Sequence, residues 1–346
     1  MIYSRKLRKF FFSTLIIGGL TCSYGQELVN TQKLPEGANI YQPVYNPMED
    51  AVYVSSAKGG AREGVIYKLD GKNLKVVDSI VVPGAAPQGL GINVKTQTLY
   101  STNSRKALVV ATDLKTGNQT YISSTVPGTT AREVRVDETR NIIYITSVRN
   151  GGIWVIDGNT NTFQRYIYNL GAAITGAAIN VEDHKVYATA MGDHQIVVVD
   201  AATGIVEKKF EAHGKRPTNV FYDETHKRLL VANQTTENIT VLDAEDGELI
   251  KEIPTGKGAL GVDYDARNDL IYVANRHGRT LSIIDGTKLE VIKTIDMQAL
   301  PNTVAINRDN GDVYVTNKVA VKEKDEDGQE FIREAKNGDS VSLIKL

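Results

Sequence analysis

The sequence predicts an all-β fold, a seven-bladed β-propeller with four antiparallel strands in each blade, and three observations carry that prediction. A short phrase, cleanest as Tyr-Val-Thr-Asn at 314–317, recurs seven times at steps of 47, 44, 43, 43, 42 and 42 residues. Each copy sits among short apolar runs separated by Gly, Asn, Asp and Pro, the pattern of short strands joined by tight turns. The ends are complementary: the last repeat lacks a fourth run, and a spare run precedes the first. All-β repeats of roughly 40–45 residues form four-stranded blades around a channel. No repeat holds a capped amphipathic run of helical length, which sets helical solenoids aside.

Residues 1–25 precede the repeats. Arg5, Lys6, Arg8 and Lys9 lead into the apolar run 10–20, and Ser23, Tyr24 and Gly25 form a small-residue exit. These are the three regions of a secretory signal peptide, and the run is too short to span a bilayer. Without its cations the charge moves from −1 to 36 cations against 41 anions, near −5. The only cysteine, Cys22, lies inside this leader. A lipid anchor there would want a small residue just before the Cys and Leu two further back; Thr21 and Leu20 do not match, so cleavage after Gly25 is the reading taken. An exported protein without cysteine relies on its core alone, which a chain this long can supply. No later stretch is apolar enough for a transmembrane helix. With 41% hydrophobic and 23% charged residues the remainder is a globular chain.

The spare run, residues 28–34, reads like the fourth strand of the other repeats and is predicted to complete the seventh blade. The two ends then share one sheet, and closure removes the open edge, which favours a monomer. Strand two of each repeat is the phrase itself, at 53–56, 100–103, 144–147, 187–190, 230–233, 272–275 and 314–317. Strand three follows, ending in Asp70, Asp113, Asp157, Asp200, Asp243 and Asp285, and in Lys345 in the last copy. Those aspartates precede turns and are expected to close Asx turns onto strand four. The last repeat is longer by about eighteen residues: a highly charged insertion at about 318–340, containing Lys322 to Gly328, separates strands two and three. Such a run is usually a solvated, mobile loop; here it is also considered as an acidic lid over the basic face.

The phrase at 314–317 gives its name to the YVTN-repeat β-propellers, which this chain resembles over nearly all of residues 26–346. The stretches 96–99, 131–134 and 153–158 and the charged insertion are similar to members of that family in place and order. The resemblance implies a seven-bladed propeller exported to the periplasm. It also brings a single-stranded DNA-binding activity, attached to one member. Fold alone does not carry function.

By the family's convention, the links after strand two and strand four share the face where ligands bind. Those links hold Arg105, Lys106, Arg149, Lys215, Arg216, Arg276, His277 and Lys318, together with Lys58 and Arg62, against few acids. The turns after strand one, on the opposite face, are rich in Asp and Glu. A concave basic mouth concentrates anions, whereas acids in tight turns have a local explanation. At the entrance of the first strands, Arg132 and Glu133 stand where the other repeats have milder pairs, from Gln88-Gly89 to Asn302-Thr303. These positions should line the channel mouth. A charge there needs a partner or a ligand; a salt bridge between Arg132 and Glu133 is favoured, with Arg132 the foremost anion contact. Tyr41 is the aromatic residue expected to face a ligand.

Metal and cofactor signatures are weak. The histidines are scattered, His184 and His226 lie in solvent-facing turns, and there is no phosphate-cradling loop or nucleophile elbow. No cofactor or metal is expected. Three readings stay open: a binding protein for an anion, such as single-stranded nucleic acid or another polyanion; a hydrolase such as a lactonase using Arg132, Arg216 and Arg276 with Glu133 or a histidine as base; and a protein-interaction scaffold.

Overall fold

The computed structural model describes residues 25–57, 63–324 and 328–346. The leader with Cys22, and the loop cations Lys58 and Arg62, lie outside the described residues. Among those described, seven four-stranded antiparallel sheets form the blades, with one two-stranded hairpin besides. The first blade runs Ile40–Asn46, Ala51–Ser56, Glu63–Asp70 and Val76–Pro83, in sequence order across its sheet. The innermost strands that follow it around the channel are Leu90–Asn93, Val134–Asp137, Ile174–Asn180, Pro217–Asp223, Ala259–Asp265 and Leu300–Ile306. The seventh blade takes Leu300–Ile306, Val313–Lys318 and Ser340–Lys345 from one end of the chain and Glu27–Lys33 from the other. Lys33 pairs with Ser340 and Leu28 with Ile344, with a bulge between Leu28 and Asn30. The predicted closure is therefore the one observed.

The core lies between blades, because each sheet is apolar on both faces and buries them against its neighbours. One cluster joins Tyr144, Ile153 and Val155 of the third blade to Ile174, Val186 and Val197 of the fourth. The phrase tyrosines are buried in this layer: Tyr53, Tyr100, Tyr144, Tyr187, Tyr272 and Tyr314. Tyr314 stacks on Tyr45 with ring centroids 5.6 Å apart, and its hydroxyl donates to the Gly71 carbonyl at 2.8 Å. Truncating such a ring costs about 3–5 kcal/mol.

The hydroxyl two places after the tyrosine works differently. Thr102 donates to the Arg132 carbonyl (2.5 Å), Thr146 to the Thr175 carbonyl (3.1 Å) and Thr316 to the Tyr41 carbonyl (2.7 Å). Ser55 does the same to Gln88. Each bond crosses from strand two of one blade to the inner strand of the next, where a buried carbonyl must find a donor. The closing asparagine stays in its own blade: Asn317 donates to Ser340 and Ser342, and Asn275 to Thr280 and Ser282. The Asx turns form as expected. Asp70 accepts the backbone N–H groups of Lys72 and Asn73, and Asp113, Asp157, Asp200, Asp243 and Asp285 act alike.

The charged insertion is not simply a loop. Ala320–Lys324 pairs with Glu330–Glu334 as an antiparallel hairpin. Each run carries a pair of apolar residues, Ala320-Val321 and Phe331-Ile332, among charged ones, and the sequence between the runs contains Asp-Gly at 327–328. Ala335 N–H donates to the Val319 carbonyl at the stem, and Arg279 Nη2 of the sixth blade donates to the Glu334 carbonyl at 3.0 Å. Among the described residues no helix is long and apolar enough to cross a membrane.

Candidate functional site

The channel mouth is built by equivalent positions of successive blades. An upper ring carries Tyr41, Gln88, Arg132, Thr218, Leu260 and Asn302; the residues next along the chain, Gln42, Gly89, Glu133, Asn219 and Thr303, lie one level deeper. Together with Ser104 and Arg276 they enclose a cavity of about 320 Å³. The interblade hydroxyl bonds end on this ring: the carbonyls of Tyr41, Gln88 and Arg132 are each held by the neighbouring blade. Close approach also fixes it, since a Cβ at Gly89 would collide with the Arg132 carbonyl. The mouth is thus a rigid frame, and its side chains decide its chemistry.

Two guanidinium groups dominate it. Arg132 enters from the third blade and Arg276 from the sixth, both half-buried and both facing the cavity. Arg276 donates through Nη2 to the Asn302 amide oxygen, while its Nε is buried without a partner. Arg132 makes no side-chain hydrogen bond or ion pair among the described residues. Burial pulls Arg276 down to about 10, and the nearby Arg132 charge pulls the same way. Burial lowers Arg132 as well, partly countered by the charge of Glu133. Two buried like charges with so few partners hold the site short of negative charge.

Lys318 stands behind this pair. It follows Asn317 as Arg276 follows Asn275, the same position in adjacent blades. Its ammonium lies 3.3 Å from the centre of the Tyr41 ring and donates to Asn39 Oδ1 at 3.2 Å and the Ile40 carbonyl at 3.0 Å. Only 8% of Lys318 is exposed, and it does not line the mouth cavity. Burial, then repulsion from Arg276, push it down to about 7, against a pull from Asp339. Asp339 is itself buried and accepts the N–H groups of Asn39 and Ile40. Tyr41 therefore presents one face to Lys318, while the residue also borders the mouth cavity and a side recess shared with Asn39, Gln88 and Arg105.

The expected salt bridge between Arg132 and Glu133 is not the one formed. Glu133 pairs with Arg135 at 2.6 Å. Arg132 and Glu133 both precede the strand Val134–Asp137 and both border the cavity; Glu133 meets Arg135 of that strand, and Arg132 is left without an ion pair among the described residues. Arg135 is well satisfied: Nε donates to the Ala177 carbonyl at 2.6 Å, Nη1 to the Val134 carbonyl, and Nη2 reaches Asn219 of the fifth blade. It spans one side of the channel and forms a waist beneath the mouth.

The remaining basic residues are spread around the rim. Arg105, Lys106, Arg149, Lys215 and Arg216 are exposed. Lys106 Nζ donates to the Gly84 carbonyl, and the Arg216 N–H donates to His194 Nδ1. His277 lies over Gly258. None of these lines the mouth cavity. Nor does any described residue of the hairpin at 320–334. On the opposite face His226 Nδ1 is 2.8 Å from Asp223, which also pairs with Arg228, and His184 Nε2 is 2.7 Å from Arg140. Among the described residues no group of three or more His, Cys, Asp or Glu is placed to hold a metal ion.

Comparison with known proteins agrees with this architecture. A family model described as a YncE-like β-propeller matches residues 153–340. The protein YncE of Escherichia coli K12 is 27% identical over 269 residues, covering 73% of this chain and 75% of its own. YncE of Salmonella typhi is 27% identical over 268 residues, with the same coverage. Among solved structures, the hydrazine synthase of Kuenenia stuttgartiensis superposes with a TM-score of 0.70 at 14% identity, over 87% of this chain and 97% of the matched one. That likeness shows the fold alone. The repeat, the ring closure and the matched segment lead to one assignment: the chain belongs to the YncE-like β-propeller family.

Proposed function

We propose that the protein is a binding protein for an anionic ligand, whose phosphate or carboxylate group enters the channel mouth between Arg132 and Arg276. The observation that carries this reading is the pair of guanidinium groups facing one cavity whose lining carboxylate, Glu133, is paired with Arg135 and with neither of them. Their donors are preset in a fork suited to oxyanions, and the cost of holding them unpaired is offset when an anion arrives. Gln88, Ser104, Thr218 and Asn302 supply neutral hydrogen-bonding groups around it. Lys318 acts through Tyr41 and by adding positive potential behind the ring. Hydrolysis is the weaker reading, because among the described residues Glu133 is the only carboxylate lining the cavity and it is committed to Arg135. Single-stranded nucleic acid is the polymeric form of the ligand, and exposed Arg105, Arg149, Lys215 and Arg216 on the same face favour it. The leader-like residues 1–25 support placing this activity in the periplasm.

The test is a titration of the full chain with inorganic phosphate and with a labelled single-stranded oligonucleotide, at about 50 and about 200 mM salt. Arg132→Gln and Arg276→Gln should each weaken binding about tenfold or more. Oligonucleotide affinity falling by about 0.7 log units per phosphate contact for each log unit of salt supports the polymer. A slope of about one contact restricts the reading to a single anionic group. Binding of neither probe overturns the proposal.

A further inference from the structure

Below the waist the channel opens again. A second cavity of about 410 Å³ lies between the inner strands and reaches the face carrying the strand one-to-two turns. It meets the mouth cavity only at Gln42, Glu133, Asn219 and Thr303, where Arg135 crosses. The two cavities differ in kind. Val44, Ile92, Val136, Phe221 and Val304 line the lower one and stay partly exposed, although each belongs to an inner strand. Apolar side chains left open to a space of this size, with charged and hydrogen-bonding groups set among them, make a small-molecule site.

The charges at its rim set the sign of what it takes. Arg308 is engaged: Nη2 pairs with Asp263 at 2.6 Å, Nη1 donates to the Tyr264 carbonyl, and the guanidinium lies over Phe221 at 5.4 Å. Arg135 is engaged at the ceiling. Asp309 lines the cavity, is exposed, and makes no ion pair among the described residues. Beside it the Tyr45 hydroxyl donates to Asp50 at 2.9 Å; burial first, then that hydrogen bond and the charges of Asp50, Asp309 and Asp312, raise the phenol. Every cation in the chamber has its carboxylate, whereas one carboxylate has no cation.

We infer that the lower chamber is a second binding site, for a small apolar amine whose hydrocarbon body lies against Val44, Val136, Phe221 and Val304 and whose ammonium rests at Asp309. It works independently of the mouth, because the Glu133–Arg135 pair stands between them.

The experiment uses the full chain and two fluorescent probes with one body and opposite charge, 1-naphthylmethylammonium and 1-naphthoate. The ammonium is expected to bind saturably with one site per chain, and the carboxylate about fivefold or more weaker. Asp309→Asn should remove most of that preference. Val304→Trp, which fills the chamber, should abolish binding of the ammonium, and Arg276→Gln should leave it unchanged. Val136→Trp repeats the filling from the opposite wall should Val304→Trp fail to melt like the parent protein. Absence of saturable binding, equal binding of the two probes, or binding that survives either folded filling variant overturns the inference. Loss on Arg276→Gln places the probe in the mouth and overturns it too.

Discussion

Arg132 and Arg135 sit three residues apart on one inner-strand segment and have opposite fates. Arg135 reaches across the waist to a carboxylate, two carbonyls and an amide oxygen. Arg132, with Arg276 opposite, faces a cavity and finds almost nothing. A buried charge with full partners belongs to the frame, since breaking such a pair leaves an uncompensated ion. A charge that the frame leaves poorly partnered is held for something that arrives. The same segment thus supplies both a strut and a contact, and sequence order alone does not say which is which.

Three comparisons sharpen this contrast. The largest effect is expected for Glu133→Gln, which strips Arg135 of its carboxylate; about 1–3 kcal/mol of unfolding free energy should be lost, read from urea denaturation. Arg132→Gln serves as the control and should unfold no more easily than the parent. Equal destabilisation by the two would break the distinction between strut and contact.

A middle-sized effect concerns Lys318. Its folded value of about 7 lies below the ordinary lysine value, so the unfolded chain binds more protons in the interval above 7. Stability should therefore rise with pH from about 7 towards about 10, and level off below about 7, where Lys318 carries its proton in both states. Lys318→Met should flatten this rise and raise the melting temperature at pH 6. Acidification below 7 should also tighten anion binding at the mouth, because the ammonium regains its charge. The groups facing it are Arg276, which opposes protonation, and Asp339, which favours it. A pH profile unchanged by the substitution would show that Lys318 stays charged throughout.

The smallest effect belongs to the rim. Arg105→Gln or Lys215→Gln should leave stability alone and weaken oligonucleotide binding by about twofold each, an effect fading at high salt. Loss comparable to that of Arg276→Gln would move the site from the mouth to the rim.

Much of this was legible in the sequence because repetition turns one weak signal into seven. The period, the buried tyrosine and the missing fourth strand together led to the blades and their closure. The aligned entrance positions also pointed to Gln88, Arg132, Thr218, Leu260 and Asn302 of the mouth ring, whereas Thr175, aligned with them, does not line it. What repetition hides is the difference between blades. Arg276 and Lys318 follow the phrase asparagine in adjacent blades and look alike, yet one faces the cavity and the other is boxed in beneath Tyr41. That depends on which aromatic the neighbouring blade offers. The partner of Glu133 was missed because adjacency in sequence looked like adjacency in space, whereas Arg135, two residues on, is the cation it meets. The hairpin at 320–334 was hidden by its charge, because its two short runs carry only the apolar pairs Ala320-Val321 and Phe331-Ile332 among charged residues.

The Tyr41 carbonyl accepts from Asn302, Thr303 and Thr316, all in the seventh blade. That blade is also where Glu27–Lys33 docks against Ser340–Lys345. The ligand mouth and the clasp of the ring therefore share one carbonyl, and a ligand that prefers the closed mouth must, by mass action, hold the clasp shut. Occupancy would then be written in the slow opening of the seam: amide protons of Glu27–Lys33 would exchange more slowly with ligand bound, though no ligand atom comes near them.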